Sequence, residues 1–287
     1  MPRFLLLRLG LPVALLAAAL AAAPAAFADA NKSANWSGYA VHRSGVNFTR
    51  VTASWVQPSV SCVPGQRTFS AFWVGLGGYD LGANALEQIG TEVDCTAAGA
   101  IRSTAWYELV PQPTRATHLV VRPGDILSAS VAVHGRRVTL TLRDTTTGRS
   151  FDKTVSAALI DTRSAEWIAE APSVCLDASS CQTLPLADFG SAQFTSARVQ
   201  TIRGHVGSIS DRSWSRTKIS LFPGRGRVLA TAEGQNTSGA AIPSALTRGG
   251  SDFTVRYAQV TGPTGAQTFA AQRRRVETGR LVHPGRG

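Results

Sequence analysis

Apolar and polar side chains alternate with a period of two along most of this chain. Arg137-Val138-Thr139-Leu140-Thr141-Leu142-Arg143 is one such run, and Leu127, Ala129, Val131 and Val133 form the apolar face of another. A period of two puts successive side chains on opposite faces of an extended strand. β-rich runs recur at 51–57, 69–76, 103–110, 151–157, 192–200, 216–222 and 252–257, separated by turn chemistry such as Pro123-Gly124-Asp125, His134-Gly135 and Thr147-Gly148. Beyond residue 30 no segment carries a sustained 3.6-residue apolar repeat with caps. Many short strands with almost no helix predict an all-β antiparallel sandwich or barrel. No strict internal repeat and no interdomain linker divides it.

The two ends depart from this pattern. Arg3 and Arg8 precede an apolar run from Leu11 to Ala23, and small-x-small sites follow at Ala26-Phe27-Ala28 and Ala28-Asp29-Ala30. That order predicts a signal peptide over residues 1–30, and hence an exported, extracellular protein that keeps no membrane association once the peptide is removed. Residues 258–287 are rich in Gly, Gln, Thr and Arg and poor in large apolar groups. They are expected to form a basic, mostly disordered tail after a domain spanning 31–257.

Composition adds one constraint. Only 16% of the residues are charged and 44% are hydrophobic, enough for a full core, yet the net charge is +11. Lysine occurs only at Lys32, Lys153 and Lys218, so arginine supplies nearly all the positive charge. The arginines are scattered, as codon bias in a GC-rich genome would leave them, and no nucleic-acid site is expected. Cys62, Cys95, Cys175 and Cys181 make an even count in an exported chain and allow three pairings; Cys62–Cys95 and Cys175–Cys181 are favoured. No Cys-x-x-Cys and no nearby His supports zinc. There is no Gly-x-Ser-x-Gly elbow, no His-Glu-x-x-His, and the Gly75–Gly78 cluster lacks the spacing of a dinucleotide site.

The acidic residues are few and clustered. Glu87, Glu92 and Asp94 fall together, Glu108 follows Trp106-Tyr107, and Glu166 and Glu170 flank Trp167-Ile168. If 165–170 is a strand, Glu166, Ile168 and Glu170 share one face, and Ala165, Trp167 and Ala169 the other. By the same parity Gln88, Gly90 and Glu92 share a face, as do Trp106 and Glu108. One sheet could then bury its apolar side and present carboxylates, an amide and indoles on the other. Paired carboxylates beside aromatics also suit a glycoside hydrolase using Glu108 and Glu166, or a carbohydrate-binding sandwich stacking sugars on Trp73 and Trp106.

At these residues the chain resembles the glutamic peptidases, or eqolisins (peptidase family G1), secreted endopeptidases first known from fungi and with bacterial relatives. The matching segments are NWSGYAV at 35–41, ASWVQPS at 53–59, FWVGLGG at 72–78, LEQIGTEVDC at 86–95, AWYELVP at 105–111, PGD at 123–125, AEWIAEAPS at 165–173 and LADFGS at 186–191. They run in family order over nearly the whole domain. The resemblance implies a lectin-like sandwich of two large curved sheets with the active site on the concave face. It implies a bacterial member of the family, polypeptide substrates, a monomer and no metal or cofactor. It also implies a catalytic pair at Gln88 and Glu166, with Trp73 lining the cleft and Glu108 near it. The amide of Gln88 is what separates the peptidase from both carbohydrate readings, since neither needs it.

Two departures bear on the site. Many family members carry Asp where this chain has Gly77, so one carboxylate is absent. Glu92 matches an acidic family position four residues beyond Gln88, with Asp94 a further candidate. The second departure is charge: a sequence pI near 10.5 contrasts with the acidic fungal proteins, so an acidic optimum is expected to be milder here.

Overall fold

The computed structural model describes residues 31–80, 83–177, 180–223, 239–260 and 281–282. Its strands, in chain order, are β1 (Asn31–Ser33), β2 (Trp36–His42), β3 (Phe48–Val56), β4 (Ala71–Gly77), β5 (Leu86–Cys95), β6 (Ile101–Val110) and β7 (Arg115–Ala116). They continue as β8 (Ile126–His134), β9 (Arg137–Asp144), β10 (Arg149–Ser156), β11 (Ser164–Glu170), β12 (Ser173–Asp177), β13 (Ser180–Thr183) and β14 (Ser191–Thr201). The last are β15 (Val206–Ser208), β16 (Ser215–Leu221), β17 (Ala240–Pro243), β18 (Phe253–Ala258) and β19 (Leu281–Val282). Among the described residues the only helical element is a single 3₁₀ turn at Arg248–Gly250.

One hydrogen-bonded path, β10-β9-β8-β3-β14-β18-β17-β16-β2-β11-β4-β5-β6-β7, folds back on itself to make two layers. Strands β3, β8, β9 and β14 of one arm meet β4, β5 and β11 of the other. The core between them holds Val131, Leu140 and Phe194 from one arm and Val74, Leu76, Ile89, Ala165 and Trp167 from the other. Alternation explains β8 and β9, whose inward residues are buried and whose outward ones are not. The all-β sandwich expected from the sequence is the fold observed.

The central strands of the second arm do not alternate. Every residue of β4 and β11 is buried, and nearly every residue of β2 and β5. Both faces of this arm are covered, so the period-two signal vanishes from β2, and its strand is marked in the sequence mainly by the family-like NWSGYAV segment. Gly38 in β2 is required by packing: a Cβ there would overlap the Trp167 carbonyl oxygen of β11. On the face turned away from the core a second apolar cluster gathers Trp36, Ala40, Trp73, Leu86, Trp106, Ile168 and Ile219.

A disulfide joins Cys62 to the end of β5 at Cys95, as favoured from the sequence. In the β12–β13 hairpin Cys175 stands opposite Cys181 in register, and the side chains of both lie outside the described residues. The expected signal peptide also lies outside them. Of the tail beyond Ala258 the described parts are 259–260 and β19, and β19 pairs with Ser173 and Val174 of β12.

Candidate active site

Register builds the site. Glu166 of β11 stands opposite Gly75 of β4, Gly75 opposite Gln88 of β5, and Gln88 opposite Glu108 of β6. In an antiparallel sheet, directly opposed residues project from the same face. Glu166, Gln88 and Glu108 therefore form one row, on the face turned away from the core. The next row holds Ile168, Trp73, Gly90 and Trp106. The row after it holds Trp36, Glu170, Ala71, Glu92 and Thr104. The strand parity expected from the sequence is the parity found.

The glycines shape this face. Gly75 puts no side chain of its own between Glu166 and Gln88, whose backbones lie two strand spacings, about 10 Å, apart. A Cβ at Gly75 would come 3.0 Å from both Leu86 Cδ1 and Trp73 Cζ3 and 3.2 Å from the Glu87 carbonyl oxygen. Gly90 is required by the close approach of β4, since a Cβ there would sit 2.9 Å from Trp73 Cα.

Gln88 and Glu166 are both fully buried, at 0% exposure. Gln88 Nε2 donates to Glu108 Oε2 at 2.6 Å, and Thr114 Oγ1 donates to Glu108 Oε1 at 2.8 Å. This fixes the amide: Nε2 faces Glu108, and Oε1 has no hydrogen-bond partner. Neither carboxylate oxygen of Glu166 meets hydrogen-bond geometry either. Burial pushes the Glu166 carboxyl well above the usual glutamate range, and Asp161, Glu87 and Asp80 push the same way. The Ser164 hydroxyl, two residues earlier on the same face, opposes that rise but stands outside good bonding geometry.

The other acidic residues separate. Glu92 and Asp94 share the face but lie further down β5, and Asp94 accepts from the backbone N–H of Ser70 at 3.4 Å. Glu87 points to the opposite side, opposite Leu76 and Leu109. It is fully buried there, and desolvation raises its carboxyl well above the ordinary value against the opposing pull of the Asp161 backbone. Glu170 accepts from Trp73 Nε1 at 2.7 Å and from Asn35 Nδ2 at 3.2 Å.

Sequence reasoning missed Asp161. A Cβ at Gly77 would lie 2.6 Å from both Asp161 Cβ and Asp161 O, so Asp161 occupies the space where a side chain at position 77 would project. Its carboxylate is held by Arg163 Nε at 2.9 Å and Nη2 at 2.8 Å. The signal was the Asp-x-Arg spacing just before β11, too common to single out. Among the described residues no group of His, Cys, Asp and Glu side chains could hold a metal ion.

Comparison with protein families matches residues 34–242 to the Peptidase A4 family. The chain belongs to this family. The peptidase A4 assignment makes it a glutamic-type endopeptidase and covers every strand of the candidate site. Among solved structures, scytalido-glutamic peptidase with a peptide-based transition-state analogue is similar over 78% of this chain and 98% of its own, at 23% identity and a TM-score of 0.61. SCP-B, a member of the eqolisin family in complex with the tripeptide Ala-Ile-His, is similar over the same shares at 23% identity and a TM-score of 0.59. At that identity the likeness speaks for the fold. No curated protein matches this chain in sequence.

Proposed function

We propose that this peptidase cleaves polypeptides with a Gln88/Glu166 pair and a water molecule. The observation that carries the reading is the single row in which Glu166 and Gln88 face each other across Gly75, with acceptor oxygens left over on both. A water in that gap can give one hydrogen to Glu166 and the other to Gln88 Oε1. Ionised Glu166 takes the proton as the water oxygen attacks the scissile carbonyl carbon. The carbonyl becomes an oxyanion, stabilised by the second N–H of Gln88, the first being engaged by Glu108. When the C–N bond breaks, Glu166 returns its proton to the leaving nitrogen. Every proton is accounted for with no metal or cofactor.

The working pH follows from the same geometry. Glu166 must be ionised to act as base, and burial moves its ionisation above 4.5. The acid limb of the profile therefore lies at milder pH than an ordinary glutamate would give, and we place the optimum in the mildly acidic range. Trp73 walls the cleft and Glu108 holds Gln88. The reading includes export after removal of residues 1–30, a bacterial source, a monomer, and a basic segment 258–287 outside the catalytic domain. The test is Glu166→Gln and Gln88→Ala on an internally quenched peptide. Each is expected to lower kcat by about 100-fold or more with the fold retained. Turnover close to wild type in either variant overturns the assignment.

The carbohydrate readings lose their footing in two ways. The family is a peptidase family, and Glu108 is engaged by Gln88 and Thr114 instead of standing open towards Glu166.

A further inference from the structure

Trp73 is held by its indole nitrogen. Its Nε1 donates to Glu170 Oε2 at 2.7 Å. At the other end of the indole, Cζ3 borders the gap at Gly75, only 3.0 Å from where a Cβ would stand. The second oxygen of Glu170 accepts from Asn35 Nδ2 at 3.2 Å, and Asn35 Oδ1 accepts from Ser33 Oγ at 3.0 Å. Ser33 Oγ in turn accepts the backbone N–H groups of Asn35 at 3.2 Å and Trp36 at 3.0 Å. The Trp36 ring meets Trp73 edge-on, with centroids 5.0 Å apart and planes at 77°. Everything in this relay is buried: Ser33, Asn35, Glu170, Trp36 and Trp73 are all at 1% exposure or less.

A buried carboxylate is costly, and an apolar residue would fill the position more cheaply. We propose that Glu170 is a positioning residue for the peptidase reaction. It fixes the plane of the Trp73 indole, and through Cζ3 it sets the width of the gap in which Glu166 and Gln88 hold water and substrate. Glu170 itself lies four residues from Glu166 along β11, about 13 Å, so it acts through the indole and not on the reacting atoms. The inference rests on the Gln88/Glu166 reading of the site.

The experiment is a swap and a cycle. Glu170→Gln keeps an acceptor for Trp73 but sets an amide N–H₂ against Asn35 Nδ2, and is expected to lower kcat/KM about tenfold. Adding Asn35→Asp reverses the donor and acceptor, and the double variant is expected to recover to within about threefold of wild type. In a Trp73→Phe background, Glu170→Gln should cost little more, because the group it acts through is gone. An equal loss with and without Trp73, or no recovery in the swap, overturns the proposal. The Trp73 Nε1–H resonance in ¹⁵N-indole-labelled protein supplies a readout independent of turnover. It should move in Glu170→Gln and return in the swap even if Glu166→Gln stays active and the dyad reading falls. A resonance that does not move overturns the proposal on its own.

Discussion

Gly75→Ala tests the gap itself. The added methyl would stand 3.0 Å from Leu86 Cδ1 and Trp73 Cζ3 and 3.2 Å from the Glu87 carbonyl oxygen. Comfortable carbon contacts begin at about 3.5 Å, so each side chain must retreat by roughly half an ångström. Leu86 and Trp73 can yield a little; the Glu87 carbonyl, held within the β4–β5 ladder, cannot. Overpacking of this kind costs about 1–3 kcal/mol, which in a chain of this size lowers Tm by roughly 2–4 °C per kcal/mol. The variant should fold. Its activity should fall much further, because the methyl projects between Glu166 and Gln88, and a displacement of about 1 Å in a reacting group can cost 100-fold. The assay is kcat/KM on a quenched peptide beside a thermal melt. Gly90→Ala is the contrasting control: its methyl would overlap the Phe72 carbonyl oxygen, and there loss of the fold is expected. If folded Gly75→Ala keeps kcat/KM within about threefold of wild type, the reaction does not take place over Gly75 and the reasoning fails.

Glu108→Ala frees Gln88 Nε2 from its 2.6 Å bond, and kcat should fall by about 10-fold or more, with much less further loss when combined with Gln88→Ala; full additivity in that cycle would show that Glu108 does not act through Gln88. Burial raises the Glu87 carboxyl above its ordinary 4.5, so its contribution to stability is full below that value and is lost as pH rises through the folded-state value. Glu87→Gln should accordingly change Tm little at pH 4 and raise it at pH 7, and equal shifts at both pH values would contradict this. The Cys62–Cys95 bridge closes a sequence separation of 33, for which chain entropy gives about 4 kcal/mol; replacing both with Ser should lower Tm by roughly 10 °C, and an unchanged melt would refute it. EDTA should leave turnover intact, and its loss would require a metal that the described residues give no site for.

Local pattern was enough to determine the strands that carry one wet face and one dry face. β8, β9 and β14 alternate because water lies on one side of them, and that contrast is written into residue order. The parity of β5, β6 and β11 was legible from strand geometry alone, although β5 and β11 are buried on both faces, and it already set Glu166, Ile168 and Glu170 apart from Trp167. What each strand faced was not legible. Gln88, Glu108 and Glu166 are far apart in sequence and meet only because β11, β4, β5 and β6 pair in one register. A one-residue slip in any pair would send a site residue into the core. Nor could residue order show that the polar face would be buried. That burial raises Glu166 and makes hydrogen bonding to Glu108 and Glu170 decisive, because desolvation is a property of the surrounding atoms and not of the residue. Asp161 escaped for the same reason: its place against Gly77 depends on the loop before β11 folding over the end of β4.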